Sequence, residues 1–179
     1  GEYRDIYKSS DGGMNWSDEM QIDPIAGQIS SIAVKPGFSD VLYAGTESGV
    51  WESNNGGASW SQNGLPSLNV TSIVINPTAP DTVYAGVAFT DADNGGVYKT
   101  TDGENWGATT LTEKRIYSLA INLTAPNIVY AGSRYFPNLA SEGVYKTTDG
   151  GSSWTPVKEG LLTYAYYNAL AIDPLKPSH

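Results

Sequence analysis

Four copies of one short turn pattern set the architecture open to this chain. They read Ser9-Ser10-Asp11-Gly12-Gly13-Met14-Asn15-Trp16, Ser53-Asn54-Asn55-Gly56-Gly57-Ala58-Ser59-Trp60, Thr100-Thr101-Asp102-Gly103-Glu104-Asn105-Trp106 and Thr147-Thr148-Asp149-Gly150-Gly151-Ser152-Ser153-Trp154. The acidic or amide position falls at 11, 55, 102 and 149, in steps of 44, 47 and 47 residues. A period of this length marks a repeat architecture, in which each unit buries its apolar face only against its neighbours.

Each unit carries four strand-like stretches. The first is apolar and β-branched, at 29–34, 70–75, 116–121 and 167–172, with few charges, as in a strand enclosed on both faces. A proline turn follows it, at Lys35-Pro36, Asn76-Pro77, Asn122-Leu123-Thr124-Ala125-Pro126 and Asp173-Pro174. The second strand recurs as Val41-Leu42-Tyr43-Ala44-Gly45, Val83-Tyr84-Ala85-Gly86 and Val129-Tyr130-Ala131-Gly132. The third recurs as Gly49-Val50-Trp51-Glu52-Ser53, Gly96-Val97-Tyr98-Lys99-Thr100 and Gly143-Val144-Tyr145-Lys146-Thr147, and Asp5-Ile6-Tyr7-Lys8-Ser9 matches it at the N-terminus. A short polar fourth strand begins at each motif Trp, as an outer edge strand should. Four antiparallel strands per repeat of about 40–50 residues predict an all-β chain of β-propeller blades.

The turn pattern lies between the third and fourth strands. Its Asp or Asn accepts backbone N–H bonds within the turn, and its Gly supplies positive φ. Its Trp is expected to cover apolar surface between neighbouring blades. Asp11, Gly13, Trp16, Asn55, Gly57, Trp60, Asp102, Trp106, Asp149, Gly151 and Trp154 are therefore read as structural.

Composition narrows the partners. A formal net charge of -9 argues against a nucleic-acid ligand, whose affinity rests on neutralising phosphates. The chain has no cysteine, which excludes disulfides and thiolate chemistry. No apolar run approaches the roughly 20 residues that span a bilayer, so no membrane insertion is expected. Gly1 opens the chain without a leader, which reads as a mature or trimmed product, and the lone His179 reads as residual tag.

These residues resemble the Asp-box, or BNR, repeat, Ser/Thr-x-Asp-x-Gly-x-Thr/Ser-Trp, over nearly the whole chain. The first and fourth copies match best, the second carries Asn55 for Asp, and the third lacks one residue. Tyr-Ala-Gly followed by Gly-Val-Tyr-Lys-Thr-Thr-Asp-Gly-Gly is similar to propellers of xyloglucan-cleaving glycoside hydrolases, sortilin-type receptors and photosystem II assembly factors. Sialidases share the box but not the surrounding repeat. The resemblance implies a six- to ten-bladed propeller, secreted or extracytoplasmic, with function on the face opposite the boxes.

The phase of the repeat is informative. A partial blade (1–28) precedes blades at 29–69, 70–115 and 116–166, and 167–179 holds the first strand of a further blade. A ring closed within the chain would lack one second strand, so the chain reads as an incomplete ring. Its unpaired blade edges invite self-association.

Strand order puts the unequal loops on the face opposite the boxes. Long connections inside a compact repeat are usually functional or mobile. Arg134, Tyr135, Phe136, Glu142, Asp91, Asp93, Tyr164 and Tyr166 are the ligand-binding candidates, because flat rings stack on sugars while charged groups bond their hydroxyls. The alternative is that Tyr135, Phe136, Tyr164 and Tyr166 only pack their own loops. Asp91-x-Asp93-x-Gly95 offers oxygens to Ca²⁺ but lacks the later bidentate Glu of a calcium loop, so no cofactor is expected and a solvated turn is the default. A glycosidase needs two carboxyls across one bond, and Glu47, Asp91, Asp93, Glu113 and Glu142 all lie on suitable loops. Arg4, Arg115 and Arg134 would have to form the triad of a sialidase, whose other motifs are missing. The leading expectation is a non-catalytic segment that binds polysaccharide or protein. Its alternatives are a fragment of a secreted glycoside hydrolase, xyloglucanase-like before sialidase-like, and a bare interaction scaffold.

Overall fold

Short β-branched and aromatic stretches, punctuated by glycine and proline, form fourteen strands among the described residues of the computed structural model. Those residues are 5–17, 20–23, 26–88, 94–134, 143–162 and 165–174. The strands are β1 (Asp5–Ile6), β2 (Met20–Gln21), β3 (Ile29–Val34), β4 (Leu42–Thr46), β5 (Gly49–Ser53), β6 (Ser61–Gly64) and β7 (Asn69–Ile75). They continue as β8 (Val83–Ala88), β9 (Gly96–Thr100), β10 (Gly107–Thr112), β11 (Ile116–Ile121), β12 (Val129–Ser133), β13 (Val144–Thr147) and β14 (Thr155–Val157). β3 to β6, β7 to β10 and β11 to β14 make three antiparallel four-stranded sheets in sequence order, and β1 pairs with β2. These are propeller blades, set side by side without closing a ring in this chain.

The blades are copies down to their register. Ala44 faces Trp51, Ala85 faces Tyr98, and Ala131 faces Tyr145 across the second and third strands. Each first strand carries a register shift at the same place, between Ile29 and Ser31, Val70 and Ser72, and Ile116 and Ser118. The serine of that bulge joins neighbouring blades. Ser31 Oγ accepts the N–H of Ile73 at 3.1 Å, and Ser72 Oγ accepts that of Leu119 at 3.1 Å. Bonds of this kind satisfy inner-strand donors that no ladder reaches.

The core consists of three interblade layers. Ile6, Ile22, Ala26, Ala44 and Trp51 join the partial blade to the first full blade. Tyr43, Val50, Val70, Ile73 and Val83 belong to the next layer, and Tyr84, Val97, Ile116, Leu119 and Tyr145 to the last. Trp60, Trp106 and Trp154 each pack on the layer shared with the preceding blade. A Cβ on Gly64 would strike the Trp106 ring, so that glycine admits the ring against β6.

Several expectations need correction. Trp16 covers no blade boundary among the described residues and is 63% exposed. β3 is not enclosed on both faces: Ile32 and Val34 are 44% and 53% exposed, whereas Ile73 and Ile75 are 5% and 7%. Among the described residues, no full sheet lies over those two side chains as β3 lies over β7. The strand expected at 5–9 shortens to Asp5–Ile6. Residues 167–172, expected as a first strand, form no ladder there. A strand is defined by its partner, and no ladder pairs with 167–172 among the described residues.

The boxes are self-contained hydrogen-bonded turns. Thr147 Oγ1 donates to Asp149 Oδ1 at 2.7 Å and accepts the N–H of Gly151 at 2.9 Å, while Asp149 Oδ1 accepts the N–H of Ser153 at 2.9 Å. Ser9, Asp11, Gly13 and Asn15 repeat this, as do Ser53, Asn55, Gly57 and Ser59. The shortened third box keeps its turn by closing earlier, with Asp102 Oδ1 accepting from Glu104 and Asn105 at 3.0 and 2.8 Å. Donors converging on a carboxylate favour its charged form. The backbone and side chain of Asn15 hold Asp11 near 2, the Ser153 hydroxyl and N–H hold Asp149 near 2, and the side chain of Asn105 lowers Asp102 further.

A depressed carboxyl pKa stabilises the fold above the unfolded value of about 3.9, and that contribution is lost as pH falls through the folded value. The melting temperature should therefore hold between pH 7 and 5 so far as the boxes are concerned, then fall between pH 4 and 2. Asp149→Asn should flatten part of that acid limb in thermal melts. An acid limb identical to the parent's would contradict this role.

Candidate functional site

Backbone bonds sort the loops onto two faces. Gly56 N donates to Asp40 O at 2.9 Å and Gly150 N to Asn127 O at 3.0 Å, which sets the boxes beside the proline turns. On the other face, Glu47 N donates to Gln28 O at 3.1 Å and Arg134 N to Arg115 O at 3.1 Å. Loops between second and third strands thus share that face with the blade-to-blade connections.

On it, one cluster gathers around Arg134. The end of β12 carries the guanidinium across the start of β11, 3.8 Å from the centre of the Tyr117 ring. Tyr166 lies on the other branch, its ring centre 5.9 Å away, and its backbone forms an antiparallel bridge with Arg134. Arg134 Nε donates to Asn168 Oδ1 at 2.6 Å. A planar cation stacked on one ring and tied at Nε has little rotamer freedom left. The segment bearing Tyr166 is held by Tyr167, whose N–H donates to Ser133 O at 3.1 Å and whose hydroxyl donates to Leu162 O at 2.8 Å. Ser118 Oγ also donates to Tyr167 O at 2.8 Å. Tyr166 remains 65% exposed, its backbone held in place and its ring open to solvent.

The base of the long third-blade loop is pinched shut. Ser133 N and Oγ donate to Gly143 O at 2.9 and 3.0 Å, and Gly143 N donates back to Ser133 Oγ at 2.8 Å. That loop's Tyr135, Phe136 and Glu142 lie outside the described residues, as do Asp91, Asp93, Tyr164 and Arg4. Of the candidates, the structure brings Arg134 and Tyr166 together. Tyr117 and Asn168 join them without having been singled out. The signal was in the repeat: Ser30, Thr71, Tyr117 and Asn168 occupy one position, and the last two break its run of small hydroxyls.

Of the carboxylate candidates that are described, Glu47 has other work. Glu47 Oε2 accepts the N–H of Gln28 at 3.2 Å, and its side chain fills the space a Cβ on Gly27 would need. Glu113 sits in the bend after β10, at φ 57°. No helix among the described residues is long and apolar enough to cross a membrane.

No protein-family model matches the chain, and no curated protein matches it. Solved structures do. The chain is similar to an ancestral GH74 enzyme, with 23% identity and a TM-score of 0.73 over 90% of this chain and 22% of that one. It is similar to the GH74 enzyme of Niastella koreensis, with 26% identity and a TM-score of 0.72 over 90% of this chain and 27% of that one. The BT4673 extracellular domain of B. thetaiotaomicron aligns with 16% identity and a TM-score of 0.66 over 96% of this chain and 23% of that one. The chain thus spans about a quarter of the length of these structures, and it shares their propeller fold.

Proposed function

We propose that this chain is an extracytoplasmic propeller segment that binds a polysaccharide through the loop face opposite the boxes, at Tyr117, Arg134, Tyr166 and Asn168. One observation carries the reading: the exposed Tyr166 ring stands beside the Arg134 guanidinium, which is itself stacked on Tyr117 and tied to Asn168. A pyranose lays its C–H face on such a ring at little ordering cost, and neighbouring guanidinium and amide groups suit its hydroxyls. The likeness to GH74 enzymes favours a carbohydrate ligand over other small molecules.

Affinity electrophoresis against xyloglucan and β-glucans tests it. Tyr166→Ala should weaken binding by about tenfold, the loss expected for one stacked ring, with the thermal melt unchanged. Arg134→Ala should weaken it too, by removing the donor beside the ring. Retardation equal to the parent's in both variants, or no retardation by any glycan, would defeat the proposal.

The same GH74 likeness favours a second reading, a fragment of a glycoside hydrolase. Reducing-sugar release from xyloglucan, abolished by Asp91→Ala, Asp93→Ala or Glu142→Ala, would replace the binding-only account.

A further inference from the structure

Asparagine is thermolabile because the amide nitrogen after it can attack its side chain, and a glycine there removes the steric obstacle. The sequence holds three such pairs, Asn55-Gly56, Asn63-Gly64 and Asn94-Gly95. Whether a pair reacts in the folded chain depends on two freedoms. The asparagine side chain must turn onto the nitrogen, and the nitrogen must be available.

Two of the pairs have neither freedom. In the second box, Asn55 Oδ1 accepts Ser53 Oγ at 3.0 Å and Ser59 N at 2.9 Å, and Asn55 Nδ2 donates to Ser59 Oγ at 2.8 Å. The nitrogen of Gly56 is engaged by Asp40 O at 2.9 Å. Asn63 Nδ2 donates to Glu52 Oε2 and to Gly103 O, both at 3.0 Å, while its Oδ1 accepts Trp106 Nε1 at 2.9 Å. Gly64 pairs with Val50 in the ladder of β5 and β6. Reaction at either pair requires opening of the structure around it.

Asn94 differs in each respect. The pair leads into β9 of the second full blade, which has a full blade packed on either side. Asn94 is exposed, and among the described residues neither its side chain nor Gly95 N makes a hydrogen bond. Its carbonyl is engaged instead: Tyr98 hydroxyl donates to Asn94 O at 3.0 Å. Gly95 N attacks only as its proton leaves, and the charge of that peptide anion rests largely on Asn94 O. A fixed donor at this oxygen stabilises the anion as an oxyanion hole does. Tyr98 is fixed in β9 opposite Ala85 and packs on the interblade layer of Val70 and Ile73. Burial raises its hydroxyl pKa, so it stays a protonated donor in mildly alkaline solution.

We propose that Asn94-Gly95 is a modification site at which the folded chain converts its own asparagine, with Tyr98 hydroxyl as the donor to the peptide anion. Gly95 N gives up its proton and bonds to Asn94 Cγ. The bond from Cγ to Nδ2 breaks, and the side-chain nitrogen leaves with that proton as ammonia. Water then opens the cyclic imide at either carbonyl, leaving aspartate or isoaspartate at position 94. The product adds a negative charge to the loop face of the second full blade, on the connection that already carries Asp91 and Asp93.

Incubating the folded whole chain in mildly alkaline buffer and mapping its peptides by mass spectrometry tests this. Amide-to-acid conversion is expected at Asn94, with Asn55 and Asn63 unchanged until denaturant is added, when all three pairs convert. Hydroxylamine, which cleaves the cyclic imide, should cut the native chain between Asn94 and Gly95 alone. Tyr98→Phe keeps the ring and should slow native conversion at Asn94 at least about tenfold, the worth of one hydrogen bond to a charged group. Its denatured rate should equal the parent's, because the donor acts only in the fold. Three results would each overturn the proposal. They are a native Asn94 that stays intact while the denatured chain reacts, Asn55 or Asn63 keeping pace with it in native buffer, and Tyr98→Phe converting as fast as the parent or faster.

Discussion

Replacing Tyr84 with alanine should cost about 3–5 kcal/mol, the range for removing a buried aromatic ring, and should uncouple the third full blade from the second. Tyr84 is 1% exposed, sits in the last interblade layer and donates to Gly150 O at 3.1 Å. Burial raises its hydroxyl pKa, so it stays a neutral donor at every working pH. Tyr84→Phe keeps the ring and loses one hydrogen bond, worth roughly 1 kcal/mol, while Lys99 still reaches the same carbonyl. Stability in a repeat array is the sum of units and interfaces, so the loss is local. Amide exchange should quicken across β11 to β14 before β3 to β6 in Tyr84→Ala. Uniform acceleration over all three blades, or a chemical denaturation midpoint equal to that of Tyr84→Phe, would contradict the interface account.

Gly86→Val should be nearly as damaging, at about 2–3 kcal/mol for overpacking a site with no free volume. A Cβ on Gly86 would lie 2.7 Å from Ile116 Cγ2, and Ile116 is fully buried. The constraint is geometric: the first strand of the next blade crosses directly over this glycine. A Cβ on Gly45 would lie 2.8 Å from Val70 Cγ1 in the equivalent place. Shortening the partner should recover part of the loss, so Gly86→Val with Ile116→Ala should be more stable than the sum of the single changes predicts. Strict additivity in urea melts would place the damage elsewhere.

These two residues illustrate what the sequence makes legible. The box turns are local: a hydroxyl, a carboxylate or amide, glycines and a tryptophan within eight positions imply their own hydrogen bonds. The strands follow from the same spacing. The Tyr-Ala-Gly triplet was visible as a repeat, but the reason for its glycine is the side chain of a residue about thirty positions on. Exposure at Ile32 and Val34 was likewise hidden, since their sequence matches that of buried Ile73 and Ile75 and only the neighbouring blade differs. Residues 167–172 show the same limit, because a strand pattern without a partner makes no ladder.

The candidate site was half legible for a similar reason. Arg134 and Tyr166 stand out as loop residues of suitable chemistry, yet their meeting depends on a bridge between segments 32 residues apart. Tyr117 lies in a stretch that reads as core, although its ring carries the guanidinium. Glu47 looked available for chemistry and instead ties down the connection from the partial blade through Gln28 N.

The central claim is that function belongs to the loop face and the boxes are structural. Titrating the isotope-labelled chain with xyloglucan oligosaccharides and following backbone amide shifts tests it most directly. The account predicts shifts at 115–118, 132–134 and 165–168, with the amides of Gly13, Gly57, Gly103 and Gly151 unmoved. Shifts concentrated at the box glycines, with Tyr117, Arg134 and Tyr166 silent, would contradict it.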